Sequence, residues 1–189
     1  MRIIAGLHRG RIIRTVKDLS VRPATDRVRQ ALFDILSARM DLSGIDVLDL
    51  YAGSGSLGLE ALSRGASHAT FVEQSRPAAN VLEANIAALG CGGVSEVVRG
   101  DALDYVDRAR GSFDLVFADP PYAFEGTPLL PQRIFSRGIV RRGGFLLVEH
   151  PAGVSFSRSA LFTLGPARRF GRTVVTFFQC VTTSEDALP

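Results

Sequence analysis

Residues 113–126 read FDLVFADPPYAFEG, an apolar run that ends on an acid, two prolines and a tyrosine. Asp119 and the carbonyl of Pro120 are acceptors. Neither Pro120 nor Pro121 has a backbone N–H, and both hold φ fixed, so the loop is rigid and poor in donors. Tyr122 adds a ring on which a planar base can stack. This is a set of residues suited to an amino group. An exocyclic or amide nitrogen is a weak nucleophile because its lone pair is delocalised into the ring or carbonyl. Two acceptors on its N–H bonds draw it towards tetrahedral geometry and orient it for attack on an electrophilic carbon. A stiffened turn without chemistry would also use Asp-Pro-Pro, so the other residues decide.

DLYAGSGSLG carries Gly53-Ser54-Gly55-Ser56-Leu57-Gly58, a G-x-G-x-x-G pattern between a strand and a helix. Glycine permits the tight turn and a close approach of backbone to ligand. Acids stand at four successive strand ends: Asp49, Glu73, Asp101 and Asp119. An open α/β sheet binds ligands beyond the carboxyl ends of its strands, so the four are expected to face one crevice. Glu73 suits the two hydroxyls of a ribose. These features fit a nicotinamide cofactor as well as they fit S-adenosylmethionine. Asp49 separates the two, because an acid four residues before Gly53 can meet a cationic methionine amino group but would repel a pyrophosphate. Asp101 can accept from an adenine amino group, and it can equally cap the helix ALDYVDRA. His150, after the fifth strand, is either a contact at the crevice rim or an ordinary loop residue. Arg168, Arg169 and Arg172 are either a second phosphate contact or a solvated turn.

The elements that must position these residues follow from periodicity. IIAG and RIIRTV, joined by LHRG, predict a short basic β-hairpin. PATDRVRQALFDILSARM predicts a helix with Thr25 as N-cap and Val28, Leu32, Ile35 and Leu36 on its inner face. From Ile45 onwards strands and helices alternate. The helix SRPAANVLEANIAALG should bury Ala78, Leu82, Asn85 and Leu89 and stop at Gly90. Strands so uniformly apolar imply a parallel sheet covered on both faces. ALFTL and TVVTFFQCV, joined by GPARRFGR, predict a closing antiparallel hairpin. The expected fold is therefore α/β and Rossmann-like.

Charge is uneven. Residues 1–40 hold nine Arg/Lys against three Asp, and the rest of the chain holds thirteen against sixteen acids. A basic head on a mildly acidic body fits a polyanion partner or a solvated face equally well. With 189 residues, one main domain is expected. No apolar run approaches the ~20 residues of a membrane span, and the N-terminus lacks the apolar core of a signal peptide. Cys91 and Cys180 have no neighbouring Cys or His at ligand spacing, which predicts reduced thiols in a cytoplasmic protein without a metal site.

MRIIAGLHRGR, RPATDRVRQALFDIL, VLDLYAGSGSLGLEALSRGA and DPPY, in this order, resemble the bacterial 16S ribosomal RNA guanine-N2 methyltransferases of the RsmD type along almost the whole chain. The glycine turn and DPPY are shared by many amino-methylating enzymes and specify the reaction class. The basic hairpin followed by Arg22-Pro23-Ala24-Thr25-Asp26-Arg27-Val28-Arg29 is more particular. The resemblance implies a class I methyltransferase with a mostly parallel seven-stranded sheet, a C-terminal antiparallel hairpin and an N-terminal basic β-hairpin extension. It divides into residues 1–20, the extension that contacts RNA, and residues 21–189, the methyltransferase domain. S-adenosylmethionine would be held by Asp49, Tyr51, Ala52, Gly53, Ser54, Gly55, Glu73, Asp101 and Ala102. Asp119, Pro120, Pro121 and Tyr122 would be catalytic. Arg9, Arg11, Arg22, Thr25, Arg27 and Arg29 would meet the RNA of the small ribosomal subunit, and the protein would act as a monomer. Three other readings stay open: an acceptor at adenine N6 or a protein glutamine, a non-catalytic RNA-binding assembly factor, and, last, a nicotinamide oxidoreductase.

Overall fold

The computed structural model describes residues 1–15 and 26–181, which fall into two compact units, Met1–Tyr105 and Val106–Pro189. The first holds α1 (Asp26–Ser37), β1 (Asp46–Leu50), α2 (Ser56–Ser63), β2 (His68–Glu73), α3 (Arg76–Leu89), β3 (Ser95–Arg99) and the start of α4 (Ala102–Arg108). Its strands run parallel in the order β3-β2-β1, with Asp49 opposite Phe71 and Glu73 opposite Arg99. Val47, Leu48, Leu50, Phe71 and Val72 are fully buried. Helix α2 packs on β1 and β2, and the approach is close. A Cβ added to Gly58 would lie 2.3 Å from Cε1 of Phe71. Gly58→Ala is therefore expected to overpack this contact and cost about 1–3 kcal/mol, read as a lower thermal midpoint. An unchanged midpoint would mean that the helix can slide outward freely.

The N-terminal hairpin pairs through one bridge, Arg2 with Ile12, supported by Ile3 N–H donating to Arg11 O at 2.9 Å. Ile3 and Ile13 are buried beneath it. The hairpin is anchored to α2. The buried carboxylate of Glu60 accepts from Ile4 N at 2.8 Å and Ala5 N at 3.1 Å, while Ser63 O and Oγ accept from Leu7 N and His8 N. Gly6 makes this possible: its φ is +79°, and a Cβ there would sit 1.6 Å from Ser63 O.

Helix α1 is rotated by one residue from the expected face. It buries Arg29, Leu32, Phe33 and Leu36, and Val28 and Ile35 are half-buried. An arginine reads as polar, so the pattern passed over it; its burial has to be compensated by partners outside the helix pattern. Helix α3 buries Ala78, Leu82, Asn85 and Leu89 as expected, and Gly90 ends it at φ +73°. Thr25 lies outside the described residues.

The second unit holds β4 (Phe113–Ala118), α5 (Leu130–Ser136), β5 (Val140–Pro151), β6 (Phe162–Phe170) and β7 (Thr173–Cys180). Their order is β4-β5-β7-β6, with β4 and β5 parallel and β5-β7-β6 antiparallel. Seven strands and a closing antiparallel hairpin are as the sequence leads one to expect. The linker is not. Most of GPARRFGR is strand, and the turn is only Gly171-Arg172, between the paired Phe170 and Thr173. A register shift between Leu164 and Ala167 takes up Pro166, which an edge strand tolerates because it is not a required donor there.

Candidate active site

The glycine turn belongs to the first unit. Leaving β1, the chain enters the left-handed region at Tyr51 (φ +58°), Gly53 (+56°) and Gly55 (+80°) before α2 begins. The three glycines serve different ends. A Cβ on Gly53 would meet nothing nearer than Tyr51 O at 4.0 Å, so the space beside it is open. One on Gly55 would strike Leu82 Cδ1 at 2.3 Å, and Gly58 faces Phe71. Tyr51 adopts a conformation costly for a side chain with a Cβ, the kind of local strain found at functional turns.

Glu73 closes β2 and binds the turn: Oε2 accepts from Gly53 N at 2.8 Å and Oε1 from Ser75 N at 2.7 Å. Asp101 caps α4, its Oδ1 accepting from Leu103 N at 2.8 Å and Asp104 N at 3.0 Å. Its Oδ2 has no partner among the described residues, so the cap leaves an acceptor available. Ala102 opens that helix and is buried. Asp49 is buried and accepts from Gly58 N at 2.9 Å, in the first turn of α2. Burial pushes its pKa up to about 7; the Gly58 N–H opposes that shift and the Glu73 charge adds to it. Asn85 adds a residue that sequence reasoning placed on a buried face without a role. Its Nδ2 donates to Ser54 O and to Arg14 O, both at 2.9 Å, and its Oδ1 accepts from Arg14 N at 2.8 Å. One amide thus ties the glycine turn to the hairpin. The signal was an Asn on an otherwise apolar helix face.

The second unit carries the DPPY loop. Asp119 is half-buried just beyond β4, Pro120 is buried, and Pro121 is exposed with its carbonyl accepting from Phe124 N at 2.8 Å. The Tyr122 ring is half-exposed, and its hydroxyl is hydrogen-bonded to Thr173 Oγ1. Thr173 also bonds the carboxyl of Glu149, whose pKa burial pushes up to about 7. His150 is not a rim residue. It is buried, with Nε2 2.8 Å from Thr176 Oγ1, Nδ1 donating to Pro151 O at 2.9 Å, and its ring edge-on to Phe156.

Of the arginines expected to meet RNA, Arg9, Arg11 and Arg27 are exposed, and Arg11 also donates to Ala88 O at 2.6 Å. Arg22 and Thr25 lie outside the described residues. Arg29 requires a correction. It is fully buried, its guanidinium bonded to Asp26 at 3.0 Å, to Arg2 O and to the Met1 sulfur. A group spent on the hairpin and held out of water has no face left for phosphate; Arg29 anchors the hairpin to α1. Among the described residues there is no group of three or more His, Cys, Asp or Glu that could hold a metal, and no helix is long and apolar enough to cross a membrane.

A parallel α/β framework with a glycine turn after β1 and an acid at the end of β2 is the layout of class I methyltransferases, and solved structures share the fold. A chain of Escherichia coli provisionally named methyltransferase yhhF superposes with TM-score 0.81 at 30% identity, covering 97% of this chain and 99% of that one. A hypothetical protein of Thermus thermophilus gives 0.79 at 32% identity, covering 94% and 98%. The protein is a methyltransferase. It belongs to the family described as conserved hypothetical protein 95, which matches residues 1–179. Similar proteins include YlbH of Bacillus subtilis, provisionally named an rRNA methyltransferase, 35% identical over 79% of this chain and 82% of its own length. The ribosomal RNA small subunit methyltransferase D of Haemophilus influenzae is 42% identical over 66% of this chain. The match to that relative spans 65% of its length.

Proposed function

We propose that the protein methylates the exocyclic N2 of one guanine in the 16S RNA of the small ribosomal subunit. The DPPY loop carries this reading: an acid and a proline carbonyl stand beside an aromatic ring that is half-exposed yet fixed through its hydroxyl. S-adenosylmethionine supplies an electrophilic methyl on a sulfonium. In the first unit, Tyr51, Ala52, Gly53, Ser54 and Gly55 would border it, with the open space at Gly53 giving room for close approach. Glu73 would take the ribose hydroxyls, Asp101 and Ala102 the adenine, and Asp49 the methionine amino group. In the second unit, Asp119 and Pro120 O would accept the two N–H bonds of the guanine amino group, holding its lone pair out of the ring. Pro121 stiffens the loop and Tyr122 stacks the extruded base. The guanine nitrogen would take the methyl in line as the methyl–sulfur bond breaks, leaving neutral S-adenosylhomocysteine, and would lose one N–H proton to solvent.

Residues 1–20 would serve as the RNA-contacting arm of a methyltransferase domain spanning 21–189, in a monomer acting in the cytoplasm. Arg9, Arg11 and Arg27, with Arg22 and Thr25, would meet phosphate. Arg9→Gln and Arg11→Gln are each expected to weaken binding to small subunits and to lower the log–log salt slope by roughly one. A slope equal to the parent's would remove that residue from the interface.

The test is tritiated methyl transfer to small subunits that lack the modification, with the product digested to nucleosides. N2-methylguanosine is the expected product. Label in adenosine, or in a ribosomal protein, would keep the fold and overturn the substrate.

A further inference from the structure

The second unit contains a group of cations that the proposed reaction does not yet use. Three of its arginines are paired with acids: Arg133 and Arg137 sit on Asp107 at 2.5 and 3.3 Å, and Arg141 sits on Asp114 at 2.5 Å. Arg168, Arg169 and Arg172, at the β6–β7 turn, are exposed and hold no acid among the described residues. Arg168 Nη1 donates to Ala167 O at 3.2 Å and Arg169 Nε to Gly171 O at 2.9 Å, which leaves most of each guanidinium fork unused. Three exposed guanidinium groups within five residues concentrate positive charge at the turn, a local field that attracts an anion.

Register shows which of them face the site. Residues directly opposite in an antiparallel ladder share a face, and so do residues two apart along one strand. Phe170 is opposite Thr173, Arg168 is opposite Val175, and Val175 is opposite Glu149. Arg168, Thr173 and Glu149 therefore lie on one face. Arg169, opposite Val174 and in line with the buried His150, lies on the other. Thr173 bonds the Tyr122 hydroxyl and the Glu149 carboxyl, so the hairpin end is fastened to the stacking ring on the Arg168 face. Arg172 is in the turn itself, next to Thr173, after Gly171 at φ +65°.

We propose that Arg168 and Arg172 hold phosphates of the RNA chain next to the nucleotide whose base stacks on Tyr122. This rests on the proposed RNA substrate and adds a second contact surface, separate in sequence from the basic head. Guanidinium suits the task because its planar fork meets two phosphate oxygens at once. A base taken out of its stack leaves its own backbone bent outward, and cations beside the ring that receives the base would hold that bend. Arg169 serves as the internal control, with the same charge on the same hairpin but the opposite face.

The experiment compares Arg168→Gln, Arg172→Gln and Arg169→Gln with the parent for binding to unmodified small subunits over a series of salt concentrations. Calorimetric titration with S-adenosylhomocysteine verifies that each variant is folded. Arg168→Gln and Arg172→Gln are each expected to lower the log–log salt slope by about one and to weaken binding several-fold at low salt; Arg169→Gln should match the parent. Parental slopes in both of the first two variants overturn the assignment, and so does an equal drop in all three, which would mean a general field rather than a directed contact. A parent protein that neither binds nor methylates small subunits defeats the RNA reading itself and this assignment with it. A parent that methylates them, with flat variants, defeats only the assignment.

Discussion

Asp119→Ala is expected to lower the rate of methyl transfer about 10²–10³-fold while leaving the affinity for S-adenosylhomocysteine and for small subunits at the parental value. Asp119 stands beyond the end of β4, followed by buried Pro120. Its proposed role is to accept an N–H bond that is stronger in the transition state, when the nitrogen becomes tetrahedral and more acidic, than in the bound substrate. Such an interaction appears in kcat rather than in KM. Asp119→Asn keeps one oxygen but introduces N–H donors that face the donors of the substrate, so it should be nearly as poor. Retention of a tenth or more of the parental rate by the alanine variant would show that Pro120 O and base stacking suffice, and Asp119 would lose its catalytic role. Intact binding with no transfer by the parent would instead favour an RNA-binding factor.

The second large effect is a pH dependence of cofactor binding set by Asp49. Burial raises its pKa from the ordinary carboxylate value to about 7, so the free protein holds this carboxyl largely protonated in mild acid. A cationic methionine amino group needs the ionised form. Binding below pH 7 must therefore expel a proton, and S-adenosylhomocysteine affinity is expected to fall about tenfold for each unit below 7 and to level off above it. The sign for the fold is opposite. A carboxyl with a raised folded-state pKa stabilises the fold fully below its unfolded value, and that contribution is lost as pH rises through about 7. The ligand-free protein should thus melt lower at pH 8 than at pH 6 through this group, and saturating S-adenosylhomocysteine should abolish the difference, because the liganded and the unfolded protein both hold the carboxyl ionised over that range. Calorimetry in buffers of different ionisation enthalpy would count the released proton. A pH-independent affinity between 5.5 and 8 would mean that Asp49 serves only the Gly58 N–H and never meets the ligand.

These two residues show how far the sequence reached. The positions of Asp49, Glu73 and the glycine turn were legible because the backbone features that place them are local. A left-handed φ is a property of one residue, and a helix that starts directly after Gly55 wants an acceptor for its first N–H groups wherever it occurs. Strands β1, β2, β4 and the second half of β5 were legible because a strand buried on both faces must be apolar throughout, whereas the exposed edge strand β6 reads beyond Leu164 as a loop. The same reasoning failed where a polar residue is buried by distant partners. Arg29 reads as a basic residue beside other basic residues, yet it is sealed inside by Asp26 and by a hairpin carbonyl that enters from outside its helix. His150 reads as a rim contact or an ordinary loop residue, and is neither once Thr176 and Phe156 enclose it within β5. Asn85 is merely an Asn on an apolar face until Arg14, seventy-one residues earlier, meets its amide.

The sequence by itself therefore determined the alternation of strands and helices, the turn chemistry and the acids at the strand ends, since each depends on short-range backbone geometry and hydrophobic period. Only the tertiary structure decided which cations are spent inside the protein and which stay exposed on its surface. Arg29 is spent and Arg168 and Arg172 are not, because the free energy of a buried charge depends on the partners that close around it, and those come from parts of the chain that no local pattern connects.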